Sequence, residues 1–223
     1  MASTPSPATG LRRQIPNFLT LMRIVFAAGF FGALSCYRFP STGIAWANVA
    51  IALFVVAAIT DALDGWLARK WNVVSTFGRI MDPFCDKVLV LGAFVYLSGG
   101  RFMVKEWFDE DRLLTMASGV YPWMVVVILA RELFVTSIRG VAESQGIAFG
   151  SKLSGKLKMI LQSIAIPLVL FLVVNWPPTT YVWNVWLCNV LMWVTIAVTI
   201  WSGIPYLFGI RTIMHECREE REG

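Results

Sequence analysis

Four aspartates fall within one short stretch of the chain, and their spacing predicts a common site. On an α-helix, at about 100° per residue, Asp61 and Asp64 share one face. Asp82 and Asp86 are four residues apart, so a second helix beginning near Gly78 places them about 40° apart on its own face. Apolar runs flank both segments, and unpaired carboxylates near a bilayer are costly. Bound divalent cations, which prefer carboxylate oxygens, are the expected compensation.

The composition predicts an all-α integral membrane protein. Of the 223 residues, 57% are hydrophobic and only 15% are charged, which is typical of a chain that crosses the bilayer several times. Apolar runs of spanning length predict six transmembrane helices. They cover residues Phe18 to Tyr37, Ile44 to Thr60, Ile80 to Ser98, Tyr121 to Ile138, Met159 to Val174 and Val182 to Phe208. The sequence Ser202 to Pro205 is expected to break the sixth helix.

The distribution of lysine and arginine predicts the orientation of the helices. These residues are concentrated in the segments on the same side as the N-terminus, which places both termini in the cytoplasm and the aspartates at the cytoplasmic end of the bundle. We expect residues 1–14 to be a flexible cytoplasmic N-terminus, residues 15–210 to be one six-span domain, and residues 211–223 to be a polar cytoplasmic tail.

Other kinds of site are poorly supported by the residue types. The four cysteines are scattered without metal-ligand spacing, and the single histidine, His215, lies in a charged tail, which leaves nucleophilic chemistry without a base. A cation channel or transporter could also use the carboxylates, but no internal repeat or deeper row of acidic residues supports it. No nucleic acid partner is expected.

Written as a pattern, the aspartate stretch reads D-x2-D-G-x2-A-R-x8-G-x3-D-x3-D. It resembles the signature of the CDP-alcohol phosphotransferases, which are six-helix membrane enzymes that transfer a substituted phosphate from a CDP-linked donor to an alcohol. The resemblance implies two Mg²⁺ or Mn²⁺ ions and a homodimer. Its implied metal ligands are Asp61, Asp64, Asp82 and Asp86, with Asp86 also the general base. The implied CDP-binding residues are Gly65, Ala68, Arg69 and Gly78.

Further residues are similar to the bacterial phosphatidylglycerophosphate synthase subgroup. They are Pro16, Asn17, Arg23, Arg131, Glu132, Arg139, Gly155, Lys156, Lys158 and Gln162. The subgroup implies CDP-diacylglycerol and sn-glycerol 3-phosphate as substrates, at the bacterial inner (plasma) membrane. A phosphorylated acceptor needs cations, and the candidates are Arg131, Arg139, Lys152 and Lys156. Arg131 could instead simply pair with Glu132, and Arg23 could bind either lipid headgroups or a donor phosphate.

The acceptor alcohol stays open at this point. Inositol phosphate, phosphatidylglycerol (giving cardiolipin) and serine are alternatives to glycerol 3-phosphate, although an uncharged acceptor would not need the four cationic residues. A family member that has lost catalysis and serves as a scaffold is disfavoured by the intact set of aspartates.

Overall fold

The computed structural model describes residues 10–71, 76–110, 113–144 and 153–222, with side chains described in 18–63, 65, 81–110, 113–144 and 155–207. Seven α-helices account for most of these residues, which confirms the all-α prediction. The helices are α1 (Gly10–Ser35), α2 (Ile44–Trp71), α3 (Thr76–Leu97), α4 (Lys105–Asp109), α5 (Pro122–Ser144), α6 (Leu153–Asn175) and α7 (Val182–Glu222). They form two compact units, Met1–Ala93 and Phe94–Gly223.

Four of the described helices are long and apolar enough to cross a membrane. The stretches are Phe18–Ser35, Ile44–Leu63, Gly155–Asn175 and Val182–Leu207, and they match the first, second, fifth and sixth predicted spans. Helices α3 and α5 have 22 and 23 residues, which is also a spanning length, but they carry the charged residues of the candidate sites. The protein is therefore a membrane protein with at least four candidate spans in its described part.

In the first unit, small residues let the helices approach closely. Ala47, Ala50 and Ala57 of α2 are fully buried, and Phe30 of α1 packs against Phe54 of α2 with ring centroids 5.4 Å apart. Without water to drive association, close packing of this kind is what holds membrane helices together.

Helix α3 joins the first unit through a contact that requires glycine. A Cβ atom at Gly92 would overlap the ring of Phe31 on α1, so the missing side chain makes room for that ring. Phe31 lies about two turns beyond Arg23 along α1, so the same pair of helices carries the contact between Arg23 and Asp82.

In the second unit, α7 packs against α5 and α6 along a row of buried polar residues. Thr199 accepts a hydrogen bond from Nε2 of Gln162 on α6, at 3.2 Å, and Nδ2 of Asn184 donates to the carbonyl oxygen of Leu172, at 2.9 Å. Such interhelical bonds satisfy polar groups that lipid could not. They help to fix the register between α6 and α7.

The predicted break at Ser202 to Pro205 is wrong, because α7 continues through Pro205 as one helix. Proline removes a backbone donor and disturbs the turn before it. In that turn Nη2 of Arg131 donates to the carbonyl oxygen of Ser202, at 3.3 Å. A side chain that bonds to the backbone near a proline is a common way for a membrane helix to tolerate it.

The first and last helices reach into the two terminal segments, whose expected roles stay predictions. Helix α1 begins at Gly10, within the segment 1–14 that was expected to be flexible, and α7 extends to Glu222, into the expected tail 211–223.

Candidate active site

The signature aspartates lie on two helices of the first unit, as their spacing predicts. Helix α2 carries Asp61 and Asp64 in its last turns before Trp71, and helix α3 carries Asp82 and Asp86 one turn apart. Asp61, Asp82 and Asp86 are partly buried. At the level of the backbone, the prediction of two aspartate-bearing helices is confirmed.

One buried arginine joins these two helices. The side chain of Arg23, from α1, is 1% exposed, and its Nη1 atom lies 2.8 Å from Oδ1 of Asp61 and 3.5 Å from Oδ1 of Asp82. The two aspartate side chains are themselves 39% and 38% exposed. Arg23 thus approaches from the interior of the unit, while a substantial part of both carboxylates stays accessible to a ligand.

A threonine one turn earlier on α1 contacts the same carboxylate. The Oγ1 atom of Thr20 donates to Oδ1 of Asp82, at 2.7 Å, and Thr20 is buried like Arg23. Two neighbouring side chains of α1 therefore orient one oxygen of Asp82. Thr20 was not among the predicted site residues, although its three-residue spacing from Arg23 puts both on one helix face and was a usable signal.

The other signature residues are placed by their backbone. Asp64, Gly65, Ala68 and Arg69 follow Asp61 on α2. Gly65 is partly exposed, whereas the side chains of Asp64, Ala68 and Arg69 lie outside the described part of the chain. Gly78 lies in the first turn of α3, also outside the described side chains. Their expected roles at a nucleotide remain predictions.

The donor set of this site suits a divalent cation. Asp61 and Asp82 both contact one cation, the guanidinium of Arg23, and so lie close to a common point. Carboxylate oxygens are also preferred ligands of Mg²⁺ and Mn²⁺. Among the described side chains, no group of three or more acidic, histidine or cysteine residues is arranged around a metal position. Asp64, a fourth candidate ligand, is not among those side chains, and Asp86 is the acidic residue on the adjoining turn of α3.

A second charged cluster lies in the second unit. Nη1 of Arg131 on α5 lies 2.8 Å from Oε1 of Glu132, and the same oxygen accepts a short hydrogen bond from Nζ of Lys158 on α6. The side chains of Arg131, Glu132 and Lys158 are 11%, 12% and 5% exposed. The pairing of Arg131 with Glu132 is confirmed, and Lys158 joins them although it was not among the predicted anion-binding residues.

Tyr206 of α7 lies between the two candidate arginines. Nη2 of Arg139 donates to its hydroxyl, at 3.0 Å, and the guanidinium carbons of Arg139 and Arg131 lie 5.5 and 6.0 Å from the centre of its ring. These distances are within the range of cation–π attraction. This buried tyrosine was not among the predicted site residues, since one aromatic residue in an apolar helix resembles an ordinary core residue.

The cluster carries more positive than negative charge. Arg131 and Lys158 contact the carboxylate of Glu132, and Arg139 contacts Tyr206, whose ring also lies beside Arg131. These three cations and one carboxylate leave an excess of two positive charges. Among the described atoms, Nε of Arg131 and Nε of Arg139 are buried without a hydrogen-bond partner. Because buried donors are normally satisfied, this arrangement suits an anionic ligand with several oxygen atoms.

The two other predicted cations have different placements. Lys156 is exposed on the first turn of α6, and Lys152 lies outside the described residues. The structure therefore brings Arg131 and Arg139 together through Tyr206, and it brings Arg23 to the aspartates.

Comparison with known proteins identifies the family. A sequence model of the CDP-alcohol phosphatidyltransferases matches residues 13–201. Proteins named CDP-diacylglycerol--glycerol-3-phosphate 3-phosphatidyltransferase are similar over most of the chain. The one from Escherichia coli K12 is 31% identical over 89% of this chain and 95% of its own length. The one from Bacillus subtilis 168 is 29% identical over 86% and 93%.

A third relative of the same name, from Cereibacter sphaeroides, is 33% identical over 71% of this chain, and the match spans 63% of that relative. The family match covers most of the chain and includes the signature aspartates with Arg23, Arg131 and Arg139. The protein belongs to the CDP-alcohol phosphatidyltransferase family.

Proposed function

We propose that the protein transfers the phosphatidyl group of CDP-diacylglycerol to a hydroxyl of sn-glycerol 3-phosphate, giving phosphatidylglycerophosphate and CMP. The main structural support is that the partly exposed carboxylates of Asp61 and Asp82 both contact the guanidinium of Arg23. The names of the bacterial relatives support this donor and this acceptor.

In this proposal Asp61, Asp64, Asp82 and Asp86 hold two Mg²⁺ or Mn²⁺ ions. When bound, the ions neutralise the diphosphate of the donor and the charge that develops on departing CMP. By holding the ions, the four carboxylates would fix the position of the donor diphosphate. The exposed fractions of Asp61 and Asp82 leave room for that approach.

Asp86 is the proposed general base. It accepts the proton of the acceptor hydroxyl as the hydroxyl oxygen attacks the phosphorus that carries diacylglycerol, and the bond from that phosphorus to CMP breaks. A carboxylate within reach of the attacking hydroxyl can serve as its base. Its position one turn beyond Asp82 on α3 keeps it close to the donor site.

The nucleotide is proposed to bind along α2 and the start of α3. Gly65 and Ala68 leave space for a flat cytidine against the helix backbone, and Gly78 does the same on α3. The guanidinium of Arg69 matches phosphate geometry. Arg23 is a further proposed ligand of the donor phosphates.

The acceptor phosphate is proposed to bind Arg131 and Arg139. Two lysines would assist: Lys156 in the first turn of α6 and Lys152 just before that helix. The excess of two positive charges in the cluster would balance the two negative charges of a phosphate monoester dianion. A neutral acceptor such as serine would leave these cations uncompensated. This favours glycerol 3-phosphate over an uncharged alcohol.

We also propose the finer membrane arrangement. Helices α3 and α5 would complete six spans, with both termini and the active site on the cytoplasmic side of a bacterial inner membrane. Residues 15–210 would form the catalytic domain, and residues 1–14 and 211–223 would flank it in the cytoplasm. A homodimer is proposed from the family resemblance.

Release of CMP from CDP-diacylglycerol tests the function. The purified protein is assayed in mixed micelles with glycerol 3-phosphate, inositol phosphate, phosphatidylglycerol or serine, each with and without Mg²⁺ or Mn²⁺. We expect metal-dependent release that is fastest with glycerol 3-phosphate. Faster release with another acceptor would change the assigned substrate, and no release with any acceptor would contradict the proposed function.

A further inference from the structure

Arg23 and the expected metal ions share the same two carboxylates, those of Asp61 and Asp82. Arg23 is a fully buried cation whose Nη1 atom is in ion-pair contact with Oδ1 of Asp61, and it lies at the edge of contact with Oδ1 of Asp82. A buried charge of this kind is tolerated only with a partner of opposite charge. The two carboxylates therefore compensate Arg23 in the structure as it stands.

A divalent cation on the carboxylate of Asp61 would lie close to the guanidinium of Arg23. Metal–oxygen distances are about 2.0 to 2.6 Å, and Arg23 Nη1 already lies 2.8 Å from the oxygen of Asp61. Two cations on one carboxylate repel each other, and burial of the Arg23 side chain limits the screening by water on its side of the contact. Metal binding must then weaken the contact between Arg23 and Asp61.

We propose that Arg23 is the internal counter-cation of the metal site. It neutralises Asp61 and Asp82 while the site is free of metal, and it gives up Asp61 when a divalent cation binds. The inference rests on the proposed function and deepens it, because an arginine released beside the loaded site is free to bind the diphosphate of the donor.

Thr20 provides a matched control on the same carboxylate. It contacts the same oxygen of Asp82 as Arg23 does, at 2.7 Å, but it carries no charge. A neutral hydrogen bond that orients a ligand supports metal binding, and its loss weakens affinity. Removing the charge of Arg23 and removing the bond from Thr20 should therefore change metal affinity in opposite directions.

The test is Mn²⁺ binding to the purified, donor-free protein, followed by the electron paramagnetic resonance signal of free Mn²⁺. We expect Arg23→Gln to tighten the Kd for Mn²⁺ about tenfold, a typical coupling between competing ligands. We expect Thr20→Val to weaken it about tenfold or more. A Kd that is unchanged or weaker in Arg23→Gln would overturn the inference.

A lysine variant keeps the test decisive if the glutamine variant does not fold. Lysine retains the charge but carries it as a strongly hydrated point charge on a flexible stem, so it should hold the two carboxylates less firmly than Nη1 of Arg23 does. Arg23→Lys should therefore give a Kd between those of the wild type and Arg23→Gln. A Kd equal to or weaker than that of the wild type would again overturn the inference. Absence of Mn²⁺ binding in the wild type would contradict the metal site itself, whereas normal binding without CMP release would contradict the proposed reaction alone.

Discussion

Replacing Glu132 with glutamine should destabilise the protein more than any other single change to an acidic side chain of α5. One oxygen of Glu132 contacts two cations, Arg131 at 2.8 Å and Lys158. At most 12% of any of the three side chains is exposed, so solvent screens these contacts little. Removing one partner of a buried ion pair costs about 3–5 kcal/mol, and we expect about 3 kcal/mol because glutamine keeps the volume and one acceptor.

The assay is thermal unfolding in detergent, followed by circular dichroism. For a chain of this size, about 3 kcal/mol corresponds to a Tm lower by roughly 6–12 °C. Glu143→Gln is the matched control, since Glu143 lies on the same helix and is exposed. The double variant Glu132→Gln with Lys158→Met should recover part of the loss, because it removes both members of a buried pair.

A Tm of Glu132→Gln within about 1 °C of that of Glu143→Gln would refute this reasoning, since a loss of 3 kcal/mol should shift the Tm several-fold more. An additive double variant would refute it as well, because partners in contact should show a coupling energy.

Three further changes address the site and its supports. Asp86→Asn should retain metal-dependent binding of CDP-diacylglycerol while turnover falls by about a hundredfold or more, and rapid turnover would remove Asp86 from the role of base. Arg139→Ala should raise the KM for glycerol 3-phosphate about tenfold or more, with a smaller effect on the KM for CDP-diacylglycerol; equal effects would argue against an acceptor pocket at this residue. Gly92→Ala should lower stability by about 1–3 kcal/mol because its Cβ overlaps the ring of Phe31, whereas Gly32→Ala, where a Cβ meets nothing within 4 Å, should be neutral in the same unfolding measurement.

The parts of the structure that depend on local pattern could be predicted from the sequence. Helical periodicity placed Asp61 and Asp64 on one helix and Asp82 and Asp86 on the next, and both helices are observed. The length and hydrophobicity of the apolar runs located the four described helices that are long and apolar enough to cross a membrane. These features follow from neighbouring residues and need no knowledge of how the helices pack.

The contacts between helices could not be predicted in this way. Arg23 meets Asp82 across 59 residues of sequence, and Lys158 meets Glu132 across 26. Such pairs depend on the rotation and depth of each helix, which packing decides and a sequence pattern does not. The continuity of α7 through Pro205 has the same origin. The local sequence predicts a break there, but Arg131 of α5 bonds to the backbone of the turn before the proline.

The aspartates gathered at α2 and α3 are proposed to support metal-dependent phosphatidyl transfer. The most direct measurement is CMP release from CDP-diacylglycerol and glycerol 3-phosphate, as a function of Mn²⁺, for the wild type, Asp82→Asn and Asp109→Asn, the last being an exposed aspartate of α4. We expect release by the wild type and by Asp109→Asn to depend on Mn²⁺, and release by Asp82→Asn to be lower by about a hundredfold or more. Release that needs no divalent metal, or an Asp82→Asn variant as active as Asp109→Asn, would contradict the claim.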